Sequence, residues 1–221
     1  MIYFFADDHY GVHPGKVIFE NLPEELGKNI RFVENDWTLL ESGDWLADCE
    51  LLILNMIGTT CKLPHPGEGA EHAVRSYCER GGNVLLLHGS SAAFWEWDWW
   101  RKIVGYRWVR GNDPDGVPAS THPTKPYSLR LAKARHPLMK QLAAFDLPAD
   151  EIYTELEQVS PSMILMDTMI EEGVFPQCTE TLTPWGGKFI GFLPGHAPAV
   201  TSNPDLIRTV AVLIGYLLKG N

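Results

Sequence analysis

The sequence predicts an α/β fold in which helices cover both faces of a mostly parallel sheet. Three observations predict it. The runs at 2–6, 51–57 and 83–87 are apolar with no polar alternation, as strands buried on both faces are. Polar clusters end these runs abruptly: Asp7-Asp8-His9, Gly58-Thr59-Thr60 and His88-Gly89-Ser90. Helical spacing fills the stretches between strands, giving the β-α-β order that requires right-handed crossovers.

Residues 2–6 form a short strand. His13-Pro14-Gly15 starts a helix with proline in its first turn; it carries Val17, Ile18 and Leu22 and ends near Pro23, which a helix interior does not tolerate. Strands follow at 30–33 and 51–57. A helix at 67–80 puts Ala70, Val74, Tyr77 and Cys78 on one face and pairs Glu71 with Arg75 on the other. Gly81-Gly82 supplies its left-handed end, and the strand to Leu87 follows at once. Residues 92–104 are expected as a helix carrying the tryptophans. Residues 111–126, rich in Gly, Pro, Asp and Thr, are expected as a long loop, a class that is more often functional than not. Strands are expected at 127–131, 151–156 and 162–167, with a short helical turn at 137–142. The last strand, 188–193, ends in Pro194-Gly195-His196. Asn203 then caps a helix with Pro204 at its first position and an apolar stripe of Ile207, Val210, Ala211, Ile214, Leu217 and Leu218. No repeat or linker divides the chain, so one domain over 1–221 is expected.

Composition narrows the partners. The 221 residues are 45% hydrophobic, enough for one well-buried core, and carry a net charge of -10. An acidic surface argues against nucleic acid and anionic membrane, which need a basic footprint. No apolar run is long enough to span a bilayer. Met1 and the strand after it lack a basic flank, so a cytoplasmic protein is expected. Cys49, Cys61, Cys78 and Cys178 are scattered without a CxxC pair, which argues against a zinc knuckle or a dithiol redox site.

The chemistry-bearing residues follow the strands. In a parallel sheet such clusters share the carboxyl edge, where open α/β sheets bind ligands. His88 leads: it sits on a strand-to-helix elbow, and Gly89 permits the tight turn. It suits a general base, a ligand contact or a metal ligand, or else a neutral histidine bonded within its own loop. His196 after the last strand reads the same way. Glu151 could orient a histidine or share its acid–base work, and alternation would point Tyr153 the same way. Asp7, His9, Ser90 and His122 are expected to bind substrate, with Trp97 from Phe94-Trp95-Glu96-Trp97-Asp98-Trp99-Trp100 at the pocket mouth. The other reading of that segment is an amphipathic helix packed on the core or on a second copy of the chain, so a homo-oligomer is a further expectation. A metal could be assembled from Asp7, His9, His88, His122, Glu151 and His196, but no HxH or HExxH spacing is present, and none is expected. The phosphate loops GxGxxG and GxxxxGK[ST] are absent too, so no cofactor is expected.

Gly81-Gly82-Asn83 through Leu87-His88-Gly89-Ser90, then His136-Pro137-Leu138, Asp150-Glu151-Ile152-Tyr153, and Pro184-Trp185-Gly186-Gly187-Lys188 through Pro194-Gly195-His196 occur in this order. In this the chain resembles the ThuA-like trehalose-utilisation family over nearly its whole length. The resemblance implies a class I glutamine amidotransferase-like fold, a flavodoxin-like three-layer sandwich, and a role with trehalose or related keto-disaccharides. It also implies a departure. Amidotransferases carry a nucleophilic cysteine at the elbow, where this chain has His88, while His196 is a rough counterpart of their late histidine. Glutaminase activity is therefore expected to be absent. The expected function is acid–base chemistry on a small sugar by His88, His196 and Glu151. The alternatives are a non-catalytic carbohydrate-binding protein and a metal-dependent hydrolase.

Overall fold

A computed structural model describes residues 1–219. Eleven strands run as β1 Ile2–Ala6, β2 Ile30–Glu34, β3 Leu51–Asn55, β4 Val84–Leu87, β5 Tyr106–Arg107, β6 Thr124–Leu131, β7 Phe145–Glu151, β8 Glu157–Gln158, β9 Ser162–Ile170, β10 Gly173–Leu182 and β11 Lys188–Phe192. The helices are α1 Pro14–Asn21, α2 Glu24–Gly27, α3 Thr38–Ser42, α4 Glu68–Glu79, α5 Asp98–Arg101, α6 Pro198–Thr201 and α7 Pro204–Leu218.

Nine strands form one sheet in the order β2-β1-β3-β4-β11-β10-β9-β6-β7. The first five in that order pair parallel. From β11 onward the pairing is antiparallel. The parallel half is the sandwich expected from its apolar runs. Alternate residues of β1 serve opposite faces: Ile2, Phe4 and Ala6 pack in a core with α1 and α7, while Tyr3 and Phe5 pack in a second core with α3 and α4. A strand placed between two such cores can have no polar side, which is why these segments do not alternate.

The helix ends follow local chemistry. Gly81, at φ +80, closes α4 with N–H bonds from Gly81 to Cys78 O and from Gly82 to Tyr77 O. The Asn203 side chain accepts from Asp205 N and Leu206 N at the start of α7, a cap that contributes about 1 kcal/mol.

Three expected elements differ, and one strand is new. Residues 92–104 are not one helix: a 3-10 turn covers His88–Ala92, and only Asp98–Arg101 is α-helical. Phe94 takes a left-handed φ of 53°, and breaking the segment there lets Phe94, Trp97 and Trp100 all turn into the α4-side core. The strand expected at 151–156 lies at Phe145–Glu151 instead. It contains Pro148, which an edge strand tolerates because its N–H side needs no partner, and β7 is the sheet's edge. Strand β10 was not foreseen. It contains Pro176, and the register shifts between Pro176 and Cys178, a bulge that spares the ladder the missing donor. The long loop stops at Pro123, and buried Arg107 holds it through a two-pronged contact to Asp113 at 2.6 and 3.1 Å.

Candidate active site

Four loops leave the carboxyl ends of β1, β3, β4 and β11 and meet at one rim. They bring His9, His88 and His196 together. The ring centroids of His9 lie 4.9 Å from those of His88 and 5.1 Å from those of His196, and His88 and His196 are 5.3 Å apart. Backbone strain accompanies this convergence: His9, Tyr10 and His88 have φ of 46°, 60° and 44°, a region that costs a non-glycine residue roughly 1–2 kcal/mol. His88 thus has the sharp, strained strand-to-helix turn of a nucleophile elbow, with an imidazole in the nucleophile's place.

Two buried aspartates hold the rim. Asp7 accepts from Ile57 N at 2.9 Å and Gly58 N at 2.8 Å, tying β1 to the loop after β3. Burial alone would raise its carboxyl, yet contacts with His9, Gly58 N–H and Thr60 hold it below the usual carboxylate range. Asp150 accepts from Gly195, His196 and Ala197, tying the end of β7 to the loop after β11. The antiparallel wing thereby delivers Glu151 to the parallel half.

Glu151 stands between histidines. One carboxylate oxygen, Oε1, is 3.4 Å from His122 Nδ1. The other, Oε2, is 3.6 Å from His88 Nε2 and 3.7 Å from His196 Nδ1. His88 Nδ1 donates to the Leu193 carbonyl at 2.9 Å, which leaves Nε2 as the nitrogen facing Tyr153 and Glu151. Complete burial, then the neighbouring His9, pushes the His88 imidazole well below its ordinary value, so it is neutral. Burial lowers His196 also, opposed by Glu151. Burial and the Glu151 charge raise the Tyr153 phenol well above its usual range, so it keeps its proton.

A cavity of about 160 Å³ opens above these groups, lined by His9, Tyr10, Ile57, Ala92, Trp108, His122, Glu151, Tyr153 and His196. Of the residues expected from sequence, His9, His122, Glu151, Tyr153 and His196 reach it. Four do not. His88 is fully buried beneath the floor, its Nε2 3.3 Å from the Tyr153 hydroxyl and 3.6 Å from Glu151 Oε2. Asp7 is also fully buried, its Oδ2 already taken by the backbone donors. Buried Ser90 accepts the Met56 N–H at 3.0 Å. Trp97 is in the core, its ring stacked on Phe94 at 3.9 Å, because a flat indole gains more from burial than from the rim. The cavity's tryptophan is Trp108, 4.7 Å from the Tyr153 ring. It was missed because it stands alone in sequence, outside the aromatic run. Asp150 was missed as a separate role because side chain-to-backbone clamps between distant segments have no spacing signature. A larger groove of about 610 Å³ beside α7 gathers no comparable set of titratable groups.

Gly89 sets how tightly the rim closes. A Cβ there would lie 2.5 Å from His9 Cε1 and 2.9 Å from Ile57 Cγ1. Gly89→Ala is expected to cost about 1–3 kcal/mol by overpacking and to push the His9 ring away from His88. Thermal unfolding and histidine ring NMR check this; an unmoved His9 resonance would contradict the packing described.

This fold, with its elbow and late-strand histidine, defines a class I glutamine amidotransferase-like α/β protein without the elbow cysteine. A family model described as ThuA, trehalose utilisation, matches residues 4–216, and the chain belongs to that family. A ThuA-like protein from Parabacteroides merdae ATCC 43184 has a similar structure, with a TM-score of 0.75 at 17% identity, covering 100% of this chain and 91% of the other. A ThuA-like protein from Bacteroides uniformis ATCC 8492 gives 0.72 at 14% identity, covering 98% and 91%. The glutaminase domain of Trypanosoma brucei CTPS, with bound acivicin, gives 0.54 at 12% identity, covering 97% and 94%. At these identities the likeness is one of fold. No curated protein matches the sequence. Among the described residues, no helix is long and apolar enough to cross a membrane.

Proposed function

We propose that the protein is an enzyme of sugar metabolism that moves a proton on the carbon next to a sugar carbonyl. The observation that carries this is the placement of Glu151: a carboxylate at a cavity wall, one oxygen against His122 and the other against His88 and His196. Glu151 takes the C–H proton, and the electron pair moves to the carbonyl oxygen as an enolate. That proton passes from Glu151 through His122 or His196, either to the former carbonyl carbon while the adjacent hydroxyl proton shifts to the other oxygen, in an isomerisation, or to the glycosidic oxygen that the enolate electron pair expels, in an elimination. Trp108 and Tyr153 offer flat apolar walls to a sugar ring. The cavity, at about 160 Å³, is smaller than the roughly 300–1,000 Å³ that encloses larger ligands, so one ring enters and a second remains outside. The family's link to trehalose utilisation supports a disaccharide whose oxidised ring is the one enclosed. Glutaminase chemistry needs a thiolate at the elbow to form a thioester; His88 stands there, so none is proposed.

The test uses keto-trehalose, made by oxidising one secondary hydroxyl, in deuterated water. Wild-type protein is expected to wash deuterium into the position beside the carbonyl, or to convert the sugar, while unoxidised trehalose stays unchanged. Calorimetric binding of the sugars with neither exchange nor conversion would replace this reading with the carbohydrate-binding one.

A further inference from the structure

We propose that His9, His88 and His196 bind one divalent transition-metal ion of the zinc class, with an open coordination position toward the cavity. This goes beyond the proton-transfer reading and stands without it. Each ring offers a nitrogen, and the three offered atoms lie within 4.8 Å of one another. A tetrahedral zinc site with Zn–N of about 2.0–2.1 Å puts its ligand nitrogens roughly 3.3 Å apart and its imidazole centres roughly 5 Å apart. The centroid separations here, 4.9, 5.1 and 5.3 Å, already match. Coordination requires the offered nitrogens, now within 4.8 Å of one another, to turn inward to that closer spacing.

The hydrogen bonding points the same way. The Leu193 carbonyl at 2.9 Å fixes the proton of His88 on Nδ1, the arrangement common to metal-bound imidazoles, and leaves an Nε2 lone pair that now meets only the Tyr153 hydroxyl, at a long 3.3 Å that an ion would displace. Asp7 Oδ1 stands 3.8 Å from His9 Nδ1, a carboxylate placed behind a candidate ligand. His9 Nδ1, Asp7 Oδ1 and His196 Nδ1 are all buried without a hydrogen-bond partner. Buried polar atoms are normally satisfied, and three orphans in one cluster are accounted for if an ion takes the His196 lone pair and a lone pair of His9, whose Nδ1–H then donates to Asp7 Oδ1. Imidazole donors favour zinc, copper, iron or nickel over magnesium or calcium. Three protein ligands and an open position are the pattern of catalytic rather than structural zinc. The open position faces the cavity wall formed by Glu151 and suits a sugar hydroxyl or carbonyl oxygen. With His196 so engaged, returning the proton falls to His122. Spacing could not have shown this site, because its ligands come from the ends of three different strands.

The test uses the untagged full chain, stripped with chelator, dialysed against zinc or cobalt(II) and then freed of unbound metal. One ion per chain is expected by elemental analysis, and cobalt should give the visible absorption of a low-coordinate histidine site. His9→Ala and His196→Ala should each weaken zinc binding by more than the roughly 10–100-fold that losing an outer hydrogen-bond partner costs. His72→Ala, on the exposed face of α4, should leave it unchanged. His196 is only partly buried, so its variant keeps the test meaningful if the His9 or His88 variants fold poorly. Metal content no higher than the stripped background, or affinity unchanged in both His9→Ala and His196→Ala, overturns the site. A chain that binds zinc but exchanges no proton on keto-trehalose would keep the site and remove the proton-transfer reading.

Discussion

Asp150→Ala is expected to lower the unfolding free energy by about 3–5 kcal/mol, on the scale of breaking a buried, charged network. The carboxylate is nearly inaccessible, at 1% exposure. It accepts from Gly195 N at 2.9 Å, from His196 N at 3.2 Å and from Ala197 N at 2.8 Å. Each charge-assisted bond is worth roughly 1.5–3 kcal/mol, and removing the acceptor leaves buried donors unpaired; the bonds share one group, so their values do not simply add. The backbone they hold includes Gly195 at φ +121, a conformation left to glycine. Asp150→Asn keeps one acceptor oxygen but turns an amide toward N–H groups, so it should fall between the wild type and Asp150→Ala. Urea unfolding of the three proteins decides the matter, with amide hydrogen exchange at 195–197 reporting where the loss lies. A change within about 1 kcal/mol for Asp150→Ala would fall to the level of an ordinary neutral hydrogen bond and would mean that something other than Asp150 fixes the loop.

That clamp also explains what could be read from the sequence and what could not. Asp7, His9, His88 and His196 each follow a strand that pairs parallel, so the rule that such strands end on one edge gathers them without any knowledge of packing. Glu151 and Tyr153 obey no such rule. They arrive from an antiparallel wing whose strands hide behind Pro148 and Pro176, and contacts between distant segments, chiefly that of Asp150 with residues 195–197, bring that wing to the rim. The same kind of contact, Asp7 to Ile57 and Gly58, seats His9. Composition was a weaker guide still. The aromatic run from Phe94 to Trp100 and the solitary Trp108 contain the same side chain, but Trp97 is buried in the core and Trp108 lines the cavity. Inward or outward direction depends on φ at Phe94 and on the partner available, neither of which a window of residues reveals.

Glu151→Gln is expected to reduce turnover of keto-trehalose by about 10²–10⁴-fold, the usual contribution of a positioned acid or base, with little change in KM or stability. The amide has the shape of the carboxylate but cannot accept a proton. The fold does not depend on the charge: Glu151 is 20% exposed, and its nearest ionisable partners are histidines at 3.4–3.7 Å, separations too long for strong hydrogen bonds. A loss in kcat alone therefore identifies a group that acts on the reacting proton, whereas a rise in KM alone would make Glu151 a binding contact. Zinc content measured on the same variant adds a second axis. If the three histidines suffice as ligands, Glu151→Gln retains its ion while losing turnover. If ion and turnover disappear together, Glu151 completes the coordination sphere, and the proton must be taken by the remaining cavity base, His122, which lies 3.4 Å from the other carboxylate oxygen. His122→Ala, on a loop residue 49% exposed, then distinguishes these cases by deuterium exchange beside the carbonyl rather than by turnover: exchange should persist while conversion falls if Glu151 is the base and His122 only returns the proton, and both should be lost if His122 is the base.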